Sequence, residues 1–355
     1  MKKILVIQQK MIGDVLTSTI ICDGLKKRYP KAQIHYLVNT NTIAVVDQNP
    51  TIDRIIEFKK EYQQNKSSFY SFLKTIKNEN YDWVIDVYGK IESNLISLFS
   101  KAQRKTSYKK WYTSFIYNEH IQPQLKVKTN AGLAIENRLR LIFSENEIEN
   151  NIIAPKIYLT PTEIENAKLY LENEGINLDK PLVMISVLGS EKRKTLPPKY
   201  MAKVIDTLTK KTESTVLYNY IPPQKEDAKT IYDLTESKTQ AKTRFDVFGK
   251  SLREFLAILH HCNLLVGNEG GAVNMAKALD KPTFTIFSPW ILQHGWNLFE
   301  DGKKHKSIHL NEFKPELYLN KSSSQLKKTA YELYEEFTPE LILPHLNTYL
   351  ENVAL

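Results

Sequence analysis

Gly267-Asn-Glu-Gly-Gly-Ala-Val-Asn-Met-Ala-Lys-Ala-Leu-Asp-Lys-Pro282 sets a carboxylate and two glycines between an apolar run of strand type, Asn263 to Val266, and a stretch with apolar residues at helical spacing, Ala272 to Leu279. Glu269, Gly270 and Gly271 therefore fall in a strand-to-helix turn. Glycines there let a ligand approach the backbone, and the free N–H groups of a helix start favour a phosphate. The same residues also serve structure in α/β folds, Glu269 as a helix cap and Gly270-Gly271 as a chain reversal, and both readings stand at this point.

The other end of the chain has the same design. Lys3 to Ile7 reads as a buried strand, Gln8 to Ile12 as a loop, and Asp14 to Arg28 as a helix, so Gly13-Asp14 opens the first helix at the carboxyl end of the first strand. Open parallel sheets carry their ligands at that edge. Asp14 also suits a helix start electrostatically, by about 1 kcal/mol or less, which would explain it structurally. A dinucleotide-binding loop is excluded, because Gln8-Gln-Lys-Met-Ile-Gly-Asp14 has one glycine where G-x-G-x-x-G needs three.

Strand-like and helix-like runs alternate throughout, which predicts an α/β protein of two doubly wound halves. Strands are expected at Lys3 to Ile7, Gln33 to Val38, Arg54 to Phe58, Trp83 to Val87 and Lys105 to Ser107, with helices at Asp14 to Arg28, Ser67 to Asn80, Ile91 to Phe99 and Gly132 to Phe143. The polar, aperiodic stretch Ser144 to Asn151 marks a boundary, and Pro161 opens the next helix. Strands return at Leu182 to Val187, Thr215 to Tyr218, Arg244 to Val247, Asn263 to Val266 and Thr283 to Phe287. Helices follow at Ser324 to Phe337 and Pro339 to Val353.

Composition bounds the function. With 355 residues, 42% hydrophobic and 25% charged, the chain can fill two cores, and its apolar runs fall short of the roughly 18 residues of a membrane span. The start lacks the apolar core and cleavage site of a signal peptide and reads as a strand made in the cytoplasm. Cys22 and Cys262 fall in different halves and read as buried, reduced thiols. No Asp-x-Asp occurs and the eight histidines form no ligand cluster, so no metal is expected. Hydrolase motifs of the G-x-S-x-G kind are absent too.

The net charge of +9 favours polyanionic partners. Between Lys101 and Tyr117, Lys101, Arg104, Lys105, Lys109 and Lys110 precede Trp111, Tyr112, Phe115 and Tyr117. That mixture suits an anionic lipid surface; a solvated basic loop over packed aromatics is the other reading. Nucleic acid is not expected, since no recognition motif organises the charge.

Taken together, Met11-Ile-Gly-Asp-Val-Leu16, Lys194-Thr-Leu-Pro-Pro198, Gly267 to Leu279, Pro282-Thr283 and Phe287-Ser-Pro289 resemble, in order, the motifs of glycosyltransferase family 9, the bacterial heptosyltransferases of lipopolysaccharide core assembly. The resemblance implies a glycosyltransferase-B fold: two Rossmann-like domains facing a cleft, residues 1–150 for the acceptor and 151–325 for the nucleotide-sugar donor, with helices in 326–355 crossing back onto the first domain. It implies inverting, metal-independent transfer without a cofactor, from a nucleotide diphosphate donor, ADP-linked in the family, to a phosphorylated glycolipid. The place would be the inner face of the cytoplasmic membrane of a Gram-negative bacterium.

It also assigns roles. Asp14 becomes the base, beside the turn residues Met11 and Gly13, and Lys194 the cation on the leaving diphosphate, with Lys192 or Arg193 sharing that contact. Glu269 would bond donor hydroxyls, and Gly270, Gly271 and Ala272 would approach the diphosphate. Ser186, Gly189 and Asn274 complete the donor side, with His294, flanked by Trp290 and Trp296, as a secondary site. Departures are informative: the family's Asp-Thr-Gly is Glu269-Gly270-Gly271 here, its His is Asn274, and its Lys-Arg-Trp-Pro is Lys194-Thr-Leu-Pro197. They leave two other readings beside the transferase: a nucleotide-sugar epimerase or hydrolase, and a non-catalytic binder of nucleotide sugars.

Overall fold

The computed structural model describes residues 2–291 and 293–353, with the backbone alone at His294. The chain divides into two compact units, Met1–Tyr158 and Leu159–Leu355.

In the first unit, β1 (Lys3–Ile7), β2 (Gln33–Asn39), β3 (Arg54–Phe58), β4 (Trp83–Asp86), β5 (Arg104–Tyr108) and β6 (Glu119–Ile121) form one sheet in the order β3-β2-β1-β4-β5-β6. All its pairings are parallel. Ile4 to Ile7 are completely buried, as a central parallel strand covered on both faces must be. The helix Ile12–Arg28 follows β1, with Asp14 in its first turn and Lys26, Lys27 and Arg28 in its last, charges that match the helix dipole at each end.

The second unit repeats the plan. Its strands are β7 (Leu182–Ser186), β8 (Thr215–Tyr218), β9 (Thr243–Arg244), β10 (Leu264–Asn268), β11 (Thr283–Ile286) and β12 (His305–Ile308), in the order β12-β11-β10-β7-β8-β9. Counted within each unit, both sheets run 3-2-1-4-5-6, the doubly wound order. Its reversal of winding lies between β1 and β4 in one unit and between β7 and β10 in the other. Ligand crevices open there, outside the carboxyl ends of the strands.

Some elements differ from the sequence reading. The edge strands β6 and β12 are short and half polar, and carry little apolar periodicity to announce them. The first helix starts at Ile12, taking Gly13 into its first turn. In residues 326–355, Leu326, Leu333, Phe337, Ile342, Leu346 and Leu350 lie in the core of the second unit. The reason is their spacing, since Ile342, Leu346, Tyr349 and Leu350 form one helical stripe that packs on the helix Pro198–Thr212. Each such side chain contributes about 1.5–3 kcal/mol by burial. Cys22 and Cys262 are buried free thiols. No helix among the described residues is long and apolar enough to cross a membrane.

Candidate functional site

At the switch point of the second unit, β7 ends in buried Ser186 and the chain loops through Gly189 to the turn Lys192–Lys194, while β10 ends at Asn268 and passes through Glu269 and Gly270 into the helix Gly271–Ala278. Asn268, almost wholly buried, ties the two exits together. Its amide donates to the carbonyls of Ser186 (3.0 Å) and Val187 (2.9 Å), and its oxygen accepts from the N–H of Leu196 (2.8 Å).

The turn itself is braced. Gly189 N–H donates to Thr195 Oγ1 at 3.0 Å, and Ser288 Oγ and Trp290 Nε1 both donate to the carbonyl of Arg193, at 2.9 and 2.8 Å. A Cβ on Gly189 would stand 2.3 Å from the carbonyl oxygen of Lys194, so the chain's own packing accounts for this glycine. Lys192 and Arg193 point into solvent, whereas Lys194 is half-buried.

Lys194 Nζ lies 3.7 Å from Glu269 Oε1. The Glu269 side chain is only 12% exposed, and burial pushes its carboxyl above the usual carboxylate range, with Lys194 drawing it partly back. Oε1 receives no hydrogen bond from the described residues. So buried an acceptor, without a hydrogen-bond donor among the described residues, can take one from a bound molecule.

Two lysines meet one indole beside this pair: Lys194 and Lys327 lie 5.7 and 4.8 Å from the Trp290 ring centre, and Lys327 pairs with Glu191 at 3.6 Å. Gly270 has φ +152°, which other residues rarely adopt, and the space over it is open for 4 Å; over Gly271 the nearest atom is Met275 Cε at 3.9 Å. No side chain caps the helix that begins here. Its first N–H groups, that of Ala272 among them, are thus left without a side-chain cap, and such helix starts are where phosphate binds. Asn274 lies one turn further on, half-buried. His294 and Trp296 belong to the short helix Gln293–Trp296, and the side chain of His294 lies outside the described residues.

At the switch point of the first unit, the loop after β1 brings exposed Met11 to the helix start, followed by Gly13 and Asp14. Asp14 Oδ1 accepts from Arg138 Nη2 at 2.7 Å; the arginine side chain is 8% exposed and the carboxylate 27%. Arg138 also donates from Nε to Ser18 Oγ and from Nη1 to the carbonyl of Ala134, each at 2.9 Å. Gln9 is buried, and its amide has no partner among the described residues.

The structure thus joins Lys194, Glu269, Gly270, Gly271 and Ala272 in one site, and holds Asp14 by a partner that sequence reasoning missed. Arg138, Asn268 and Lys327 are all additions. Arg138 lies 124 residues from Asp14, a separation at which no spacing rule operates.

The sequence profile of glycosyltransferase family 9 (heptosyltransferase) matches residues 69–296, across both units. Lipopolysaccharide heptosyltransferase 1 of Campylobacter coli is 23% identical over 295 residues, 80% of this chain and 83% of that protein. Among solved structures, the family 9 glycosyl transferase of Veillonella parvula DSM 2008 superposes with a TM-score of 0.75 at 16% identity, covering 98% of this chain and 97% of that one. The ADP-heptose lps heptosyltransferase II of E. coli superposes at 0.74 with 18% identity, covering 99% and 98%. At these identities the likeness establishes the fold, that of the glycosyltransferase-B class.

Proposed function

Because the chain belongs to glycosyltransferase family 9 and is a glycosyltransferase, we propose that it moves a heptose or closely related sugar from an ADP-linked donor to a phosphorylated lipopolysaccharide or lipooligosaccharide core, with inversion and without a metal. The part-buried Lys194–Glu269 pair beside an uncapped helix start carries this reading. It offers a cation and free N–H groups to a diphosphate and an unfilled carboxylate oxygen to sugar hydroxyls.

In the proposed reaction the first unit holds the acceptor and the second the donor. Asp14 takes the proton of the acceptor hydroxyl as its oxygen attacks the anomeric carbon from the face opposite the diphosphate. The bond from that carbon to the diphosphate oxygen breaks, and its electron pair leaves with ADP, whose growing charge falls on Lys194 and the helix N–H groups. The proton ends on Asp14. Glu269, one methylene longer than the family's Asp, reaches further toward the sugar, and the Gly270 and Asn274 replacements adapt the same site to a changed donor.

The acceptor is lipid-borne, so the work is done at the inner surface of the cytoplasmic membrane. Calorimetric titration with ADP, UDP, GDP and CDP, followed by transfer from ADP-heptose to a heptose-deficient core, tests the reading. Selective ADP binding and a product heavier by one heptose are expected. A preference for another nucleotide would move the donor elsewhere, and no nucleotide binding would overturn the reading.

A further inference from the structure

The carboxyl edge of the first sheet exposes apolar side chains in a repeated pattern. Three neighbouring strands, β1, β4 and β5, each release the chain into a loop in which a lysine precedes an exposed apolar residue: Lys10-Met11, Lys90-Ile91 and Lys110-Trp111. Met11 is 67% exposed, Ile91 76% and Trp111 88%, and Phe115 in the same loop as Trp111 is 77% exposed. Single exposed apolar residues are ordinary, but four large ones on adjacent loops form a surface that needs a partner.

The loop after β5 is firmly built. Lys110 Nζ donates to the carbonyl of Gly89 at 2.7 Å, the N–H groups of Thr113 and Ile116 bond back to Lys110 and Thr113, and Tyr117 donates to buried Asp86 at 2.5 Å. Thr113, Ile116 and Tyr117 face inward. Trp111, Tyr112 and Phe115 are therefore held outward by a fixed backbone. Lys90, beside Ile91, and Lys109, two residues before Trp111, are both exposed. Lys101 and Arg104 precede or open β5 at the opposite edge, and Arg104 is taken by Glu119 and the Trp83 ring. The cluster read along the sequence as one basic aromatic patch is thus divided by its strand, and the aromatic part shares its edge with Asp14.

We infer that this edge docks on an anionic lipid bilayer, with Ile91, Trp111 and Phe115 entering the interface and Lys90 and Lys109 meeting lipid phosphates. Indole and phenyl rings prefer the depth of the headgroups, and lysines beside them reach out to the charged surface. The inference rests on the transferase reading above: Met11 belongs to the docking edge and Asp14 lies one helical turn beyond it, so a docked enzyme meets a lipid-borne acceptor with its base.

The test is co-sedimentation with vesicles of phosphatidylcholine, with and without about 30% phosphatidylglycerol, for the wild type, Ile91→Ser/Trp111→Ser/Phe115→Ser and Lys90→Gln/Lys109→Gln. The wild type should bind the anionic vesicles. The triple variant should lose about tenfold or more of its partitioning, and the lysine variant should lose the preference for phosphatidylglycerol. Melting temperature, ADP binding and transfer to a delipidated acceptor should stay unchanged in both. Absence of wild-type binding, or a triple variant that binds as the wild type does, would overturn the proposal. So would a triple variant that keeps vesicle binding but loses the delipidated acceptor, since the edge would then be a sugar platform. If the wild type instead fails to bind ADP or transfer sugar, the functional reading falls, whatever the vesicles show.

Discussion

Lys194 Nζ and Glu269 Oε1 stand 3.7 Å apart, close enough to be an ion pair and too far for a hydrogen bond. A diphosphate would draw Lys194 away from the carboxylate, whose burial already raises its proton affinity. Replacing Lys194 by Ala should weaken ADP binding about 10- to 100-fold, the worth of a charge-assisted contact. Losing Lys194 to the ligand should raise the Glu269 carboxyl further, so binding takes up protons and strengthens as pH falls toward that group's range. Calorimetry in two buffers of different ionisation enthalpy measures the uptake, and Glu269→Gln should abolish it. Proton release instead would show that Lys194 stays with Glu269.

Arg138 holds Asp14 and is itself held by Ser18 and Ala134. Asp14→Asn should slow transfer about 10²- to 10⁴-fold, the range of a lost general base, while ADP affinity is kept. Arg138→Met leaves the carboxylate unpaired and should cost up to about 3 kcal/mol in a denaturant melt, at the low end for such pairs because Asp14 is partly exposed. A double-mutant cycle with Asp14→Asn should recover much of that loss.

Asn268 makes three bonds to the two chain exits of the second site. Asn268→Ala should destabilise by about 2–4 kcal/mol and weaken ADP binding, because the segment carrying Lys194 loses its brace. Asn268→Asp should be no better, since it turns an oxygen toward the carbonyls of Ser186 and Val187. An aspartate variant of native stability at neutral pH would contradict this bonding scheme.

His309 is buried, donates from Nε2 to the carbonyl of Ile291 at 2.9 Å and accepts at Nδ1 from Asn311 N–H at 3.0 Å, so it is neutral. Burial pushes it down from 6.5 to about 4. A depressed histidine binds fewer protons folded than unfolded, so the stability it lends is complete above pH 6.5 and is lost as pH falls toward 4. The loss should reach about 3 kcal/mol. Thermal melts between those values should show the decline, and His309→Gln should flatten it.

Much of the scaffold was legible because parallel strands are short apolar runs and the helices between them carry stripes. β1, β3 and β8 begin and end where their sequences predict. The turn at Glu269 and Gly270 was legible for a local reason, as strand, glycine and helix are neighbours in sequence. Arg138 and Lys327 were not: each reaches its partner through tertiary packing, and neither stands in a motif. Gly189 was ambiguous for the complementary reason, since a glycine cleared for a ligand and one cleared for the chain's own carbonyl look alike in a sequence. The lysine and apolar pairs after β1, β4 and β5 were visible singly, but only the strand order makes them neighbours.

The helix Pro339–Asn352 sends Ile342, Leu346 and Leu350 into the core of the second unit, and Tyr349 donates to the carbonyl of Lys304 at 2.8 Å. Synthesis runs from the other end. The first unit has its own core once Tyr158 has left the ribosome, whereas the second must wait, apolar strands uncovered, until residue 350 emerges. A nascent chain stalled before then would carry a first unit already closed and a second with part of its core still missing.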